Sequence, residues 1–311
     1  MSGHASMGPD RGLDAGMLRA SHAGVRRGTL GTRLWAGRNR YLTAAICIAL
    51  CTIMLLPIVL SILASVKTTA EAAAVPPTYL PTSLATDSYE RLWSYQAGLP
   101  TYLANSFGAA FLTIAFTLGL TVPAGYALAR FPLPGKELLF VFLLLALIIP
   151  YPALLTPIFL MFAELKLTNS IVGLAIIHTA IQLPFSLYVM RNNFEAVPRE
   201  LEEAAVVDGG GSLQVLIRVF LPSIVPAIIT VALFAFITSW NEFLGALVML
   251  NTDSSFTLPV ILANARTETS IGGTDWGLLQ AGVTISIIPC IAVYLLLQRY
   301  YVSGLLHGAV K

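Results

Sequence analysis

The chain has 311 residues, 56% of them hydrophobic and only 11% charged, with a formal net charge of +2 and a mean hydropathy of +0.78. That balance excludes an ordinary soluble globular domain and points to a membrane protein. About 20 consecutive apolar residues cross a hydrocarbon core of roughly 30 Å as a helix, and six stretches qualify, at about 41–66, 103–129, 138–163, 171–190, 223–250 and 278–298. The expectation is an all-α polytopic membrane protein: one transmembrane domain over 41–311 behind a polar tail over 1–40, with no room for a sizeable soluble domain.

The first 40 residues carry seven arginines against two aspartates among glycine and alanine. No apolar core with a small-residue cleavage site precedes the first span, so the tail reads as a cytoplasmic segment rather than a cleaved signal. Its apolar surface is too small to offset the entropy of ordering, and disorder is expected. A solvated basic tail that fixes orientation is preferred over a lipid-binding or nucleic-acid-binding arm, and no nucleic acid is expected as a partner. Cys47, Cys51 and Cys290 all fall inside spans and read as small apolar fillers.

Basic residues near span ends set orientation. With the amino terminus inside, Arg130, Lys136, Arg191, Arg199, Arg218, Arg299 and Lys311 join the tail arginines, placing 14 of the 18 Lys and Arg residues in the cytoplasm. Lys67, Arg91, Lys166 and Arg266 remain outside. Both termini are therefore expected in the cytoplasm. The prolyl loop at 67–101 (Pro76, Pro77, Pro81, Pro100) and the polar loop at 251–276 face outward, where length suits an extracytoplasmic partner.

Prolines break several spans, most densely in "IIPYPALLTP" at 148–157, which contains Tyr151. Each proline frees a carbonyl that a neighbouring helix or a watery cavity must satisfy. Gly119, Gly125 and Ala129 are small enough for close helix packing. Within the spans Glu242 is a deeply placed carboxylate, which is costly in hydrocarbon and turns to a cavity or a partner. Structural pairing, substrate contact and proton relay all remain open for it. Tyr151, Gln182, Trp240, Asn241 and Glu242 are the candidate translocation-pathway residues; His178 and Gln280 are polar span residues that read as interhelical glue.

The charged exception is the segment 195–222, with "LEEAAVVDGGG" at its centre. Pro198 suits the first position of a helix, and Glu200, Glu202 and Glu203 follow near its positive end. Leu201, Ala204 and Ala205 form a narrow apolar stripe. Asp208 and Gly209–Gly211 stop the helix, since glycine takes the left-handed C-cap conformation readily. Ser212 is placed to cap a second helix with an apolar face of Leu213, Leu216, Ile217 and Phe220. Interfacial helices favour Lys and Arg on the polar face, so this acidic, alanine-bearing helix suits a protein partner better than a membrane surface.

"EEAAVVDGGG" followed by Leu221-Pro222 resembles the coupling motif of binding-protein-dependent ABC transporter permeases: Glu203, Ala204, Ala205, Asp208, Gly209, Leu221 and Pro222 occupy its positions. "YALARFPLPGK" (126–136), "WNEF" (240–243) and "QRYYVSGLLHGAVK" (298–311) extend the resemblance to the carbohydrate-uptake branch, in particular the maltose-transporter permease type, over residues 41–311. That family usually has alanine where Gly210 stands and an aromatic near Leu216. The resemblance implies a non-catalytic permease subunit whose coupling helix, with Glu200, Glu202, Glu203, Ala204, Ala205, Asp208 and Gly209, enters a cleft on a separate ATPase. It implies further a second homologous permease, two ATPase subunits that bind ATP and Mg, an extracytoplasmic solute-binding protein, and a sugar or oligosaccharide as cargo. Glycerol-3-phosphate or another polyol derivative is the alternative cargo. In the maltose type the partner permease makes most substrate contacts. The chain has no Gly-x-x-x-x-Gly-Lys-Ser/Thr phosphate loop of its own, and no cofactor, metal ligand set or catalytic residue is expected in it. An ion-coupled secondary transporter would want several intramembrane charges where this chain offers Glu242, and an intramembrane enzyme would want catalytic motifs that are not present.

Overall fold

The computed structural model of the protein describes residues 30–265 and 274–309, with side chains from 41 to 265 and from 274 to 298. The arginines before Leu30, together with Arg266 and Lys311, lie outside the described residues. Two compact units divide the chain, Met1–Pro57 and Ile58–Lys311. Helix α1, Leu30–Ser65, contains Pro57 at the division. From Tyr41 to Pro57 its apolar side chains are exposed, Met54 at 78%. That surface suits lipid tails, which are as apolar as the side chains themselves.

The described residues of the second unit form helices joined by loops, with no strand among them. Short helices α2 (Thr69–Ala72) and α3 (Asp87–Trp93) precede α4 (Leu99–Arg130), and α5 (Lys136–Leu145), α6 (Tyr151–Glu164) and α7 (Ile171–Ala196) follow. Next come α8 (Arg199–Val207), α9 (Ser212–Val215), α10 (Leu221–Ser223), α11 (Val225–Asn241), α12 (Leu244–Met249), α13 (Leu258–Ala265) and α14 (Trp276–Ala309). Helices α4, α7 and α11 pack on one another, with α14 against α11.

Helices α4 and α7 run side by side in the same direction. At their starts a β-carbon on Gly108 would lie 3.7 Å from the Ile171 side chain; at their ends Arg130 binds the Phe194 carbonyl. Gly125 is what permits the approach, since a β-carbon there would come within 2.7 Å of the Met190 β-carbon. Gly119 plays no such part, with nothing within 4 Å of its position. Ser170 starts α7 by accepting the Gly173 N–H at 3.3 Å, an N-cap that satisfies a donor the helix cannot.

Two of the expected continuous spans are broken. The stretch 138–163 divides into α5, a 3-10 turn Ala146–Ile148, and α6, with a bend of 105°. Pro150 cannot donate to the helix ladder and holds Ile149 extended (ψ 121°). The stretch 223–250 divides too: α11 stops at Asn241, Glu242 is extended (ψ 127°), and α12 begins two residues later. Ser223 itself belongs to the preceding segment, which meets α11 at 79°. Among the described residues, four helices are thus long and apolar enough to cross a membrane, or up to six if each bent pair is one span.

At the pole where α4 begins, α14 is tied to α3 by Arg91, whose Nη1 lies 2.5 Å from an Asp275 carboxylate oxygen. The Glu71 carboxylate accepts the Thr82 N–H and hydroxyl and the Thr78 hydroxyl, while Lys67 donates to the Thr78 carbonyl. Desolvation opposes the Glu71 charge, but these hydrogen bonds and Lys67 outweigh it and hold the carboxyl below its ordinary range.

Candidate functional site

The acidic segment folds as helix, hinge and return, with details that differ from the sequence expectation. Pro198 is the N-cap rather than the first helical residue, and Glu200 and Glu202 occupy the first turn of α8. At the other end Asp208 is the C-cap and Gly209 has φ +84°. The Gly209 N–H reaches the Val206 carbonyl and the Gly210 N–H the Ala205 carbonyl, each at 2.9 Å. These two bonds make a Schellman motif, which satisfies carbonyls the helix leaves open.

The faces of α8 are not the expected ones. Of the stripe Leu201, Ala204 and Ala205, only Ala205 turns inward, against the cluster around Phe220 and Val215. Leu201, Glu203, Ala204, Val206 and Val207 are exposed, Val207 at 86%. The return is not a regular helix capped by Ser212. Gly211 is the N-cap, with its N–H bonded to Gln214 Oε1 at 3.3 Å. After α9 comes a π-helical turn, Leu216–Phe220. Val215 and Phe220 are buried while Leu213 (68%) and Ile217 (53%) point outward.

Arg130, which the sequence offered as an orientation charge within the 126–136 motif, lies beneath this segment with its side chain 4% exposed. Its Nη2 donates to the carbonyls of Phe194 and Val197, both at 2.5 Å. Its guanidinium carbon sits 4.7 Å above the Phe220 ring, and its Nη1 is 3.6 Å from Glu202 Oε2. Tyr126, Phe194 and Phe220 form an aromatic cluster below, with centroids 5.1–5.8 Å apart. Nearby, Arg191 ties α7 to α5 through both Glu137 oxygens (2.7 and 2.9 Å) and stands 4.3 Å from the centre of the Phe140 ring.

The candidate pathway residues do not form one site. Glu242 Oε1 accepts the Gly245 N–H at 2.7 Å and Oε2 the Ala246 N–H at 3.0 Å, so the carboxylate caps α12. Oε2 also lies 3.2 Å from His178 Nε2, and His178 Nδ1 lies 2.8 Å from the Ser239 hydroxyl. With Nε2–H facing the carboxylate, Nδ1 is left to accept from Ser239. Tyr151 belongs to the same cluster: a β-carbon at Gly245 would stand 2.1 Å from its hydroxyl. Trp240 faces away, donating to the Ser286 carbonyl of α14 at 3.1 Å and stacking on Phe236. Gln182 accepts from Thr238 at 3.1 Å, and Asn241 is exposed, bonded to the Ile237 carbonyl one turn back.

Residues 121–307, more than half the chain and including the whole of this segment, match the family model described as binding-protein-dependent transport system inner membrane component. The chain belongs to this family. The permease is 34% identical over 232 residues to a probable ABC transporter permease of Bacillus subtilis, covering 75% of this chain and 76% of the relative. A diacetylchitobiose uptake permease of Streptomyces coelicolor is 32% identical over 241 residues (76% and 84% covered). A trehalose transport permease of Mycobacterium tuberculosis is 33% identical over 232 residues (75% and 84%). In fold, the permease superposes on a chain of a bacterial ABC transporter involved in alginate import with a TM-score of 0.75, at 24% identity, over 88% of this chain and 98% of that one.

Proposed function

We propose that this chain is the permease subunit of an ATP-driven importer for a sugar or oligosaccharide, and that α8 is the helix that docks on a separate ATPase. The observation that carries the docking reading is the outward face of α8. Leu201, Ala204, Val206 and Val207 are exposed beside Glu203, on a helix whose end is fixed by a Schellman motif rather than by burial. The relatives named for diacetylchitobiose and trehalose support the carbohydrate class.

In this reading a second homologous permease completes the membrane pathway, two ATPase subunits bind ATP and Mg, and a solute-binding protein delivers cargo from outside. The pole bearing α8 faces the cytoplasm, as do both termini. The chain contributes no catalytic group; it converts movement of α8 into a change in which side of the membrane the pathway opens to.

Ala204→Trp tests the docking face. The position is exposed, so the indole leaves the fold intact while blocking close approach. Wild-type expression with loss of ATPase co-purification and of uptake is the expected result. Full ATPase recovery with full uptake would show α8 to be a solvated connector.

A further inference from the structure

We infer that Arg130 is the positioning residue that carries movement of α8 into α4 and α7; the inference rests on the proposed docking role of α8. Among the described residues the Arg130–Glu202 pair is the ion pair that joins α8 to a membrane-crossing helix. The chain changes direction at both ends of α8. On its amino-terminal side Val197 and Pro198 are extended (ψ 129° and 139°), and on its carboxyl side Gly209 is a left-handed hinge. The inward face contributes Ala205, a single methyl group, to the cluster behind it.

Arg130 touches α7, the entry to α8, α8 itself and the return segment at once. It is the last residue of α4. Its Nη2 binds the Phe194 carbonyl in the last turn of α7 and the Val197 carbonyl that leads into α8. Its flat face lies on Phe220, where the return segment re-enters the core, and its Nη1 reaches Glu202. Carbonyls at a helix end attract a cation, and the planar fork of a guanidinium can hold two carbonyls, an aromatic face and a carboxylate together. An ammonium group cannot reproduce that geometry. A displacement of α8 along its own axis therefore drags the ends of α4 and α7 with it while the guanidinium is present.

The test uses the full complex with its ATPase subunits, with spin labels at Val207→Cys on α8 and Phe111→Cys on α4, both exposed positions (86% and 72%). The labels are introduced in place of the native cysteines, and inter-label distance is measured without nucleotide and after trapping with ATP and vanadate. With Arg130 intact the distance is expected to stay the same in both states, because α8 and α4 move as one. In Arg130→Lys the distance shifts on trapping by roughly 2–5 Å, the scale of helix displacements at moving interfaces, and uptake is lost. Glu202→Gln is the second variant. It leaves the carbonyl bonds and the ring contact in place, and it decides the matter should Arg130→Lys fail to yield complex. A residue that only stabilises the fold would lower yield without creating a nucleotide-dependent distance. Variants whose distance is unchanged by trapping overturn the inference, and Ala204→Trp separates that outcome from failure of the docking reading. If Ala204→Trp abolishes ATPase recovery while the Arg130 and Glu202 variants stay rigid, only the role of Arg130 falls. If ATPase recovery survives Ala204→Trp, both fall.

Discussion

Glu242 shows how one intramembrane carboxylate is made tolerable. An ionised group at depth is costly unless it is hydrogen-bonded or paired, and here two backbone N–H groups and an imidazole N–H surround it. The sequence marks Glu242 as unusual but leaves pairing, substrate contact and proton transfer all open. The partner lies 64 residues away on α7, and helical periodicity is silent about contacts between helices. Gly245 belongs to the same arrangement, because the Tyr151 hydroxyl fills the space a side chain would need. Gly245→Ala is therefore expected to lower stability by about 1–3 kcal/mol, the usual range for overpacking, read as a drop in melting temperature of the purified permease. Adding Tyr151→Phe removes the clashing oxygen and should recover most of the loss. A double variant no more stable than Gly245→Ala alone would show that the clash lies elsewhere.

At the scale of elements, the helices set by local chemistry were legible and the irregular ones were not. The acidic first turn of α8 and the glycines after it are short-range signals with a direct backbone consequence. The prolines of 148–157 mark the break at 146–150, with Pro150 its cause, although the apolar run around them counts as a single span. The π-turn at Leu216–Phe220 has no sequence signature, and beside it Leu213 and Ile217 point outward instead of lying on the buried apolar face. The hinge after α8 departs from the family pattern of alanine at 210 for a visible reason: a β-carbon at Gly210 would stand 2.7 Å from the Ala205 carbonyl oxygen that closes the Schellman motif. Gly209 is held at φ +84°, where a β-branched side chain is strained by roughly 1–2 kcal/mol or more. Gly209→Val is expected to redirect the return segment while leaving the membrane helices in place. Expression should match wild type, and ATPase recovery and uptake should fall together. Normal uptake by a normally expressed variant would mean that the hinge angle is unimportant.

Over the whole molecule the two poles carry different chemistry. Because α4 and α7 are parallel and α11 returns between them, Arg130, Lys136, Arg191, Arg199 and Arg218 gather at the pole of α8. Lys67, Arg91 and Lys166 lie near the opposite one, where Asn105 binds the Ser254 and Phe256 carbonyls. Charge counting along the chain anticipates this segregation, since loops alternate sides whenever spans are crossed in turn. It does not anticipate how much of the basic charge is engaged in structure: Arg130, Lys136 and Arg191 all hold backbone carbonyls or carboxylates. The bent pairs leave between four and six crossings by length and composition, so orientation has to be tested at both poles. Leu84 is 82% exposed at the pole opposite α8 and Ser212 is exposed beside the hinge. Ser88, in the first turn of α3, is fully buried and unsuitable as a reporter. In a background lacking Cys47, Cys51 and Cys290, Leu84→Cys should react with an impermeant maleimide added to intact cells. Ser212→Cys should react only after the membrane is opened. Labelling of Ser212→Cys from outside would place α8 on the side of the membrane that holds no ATP, and the docking reading of α8 would fall with it.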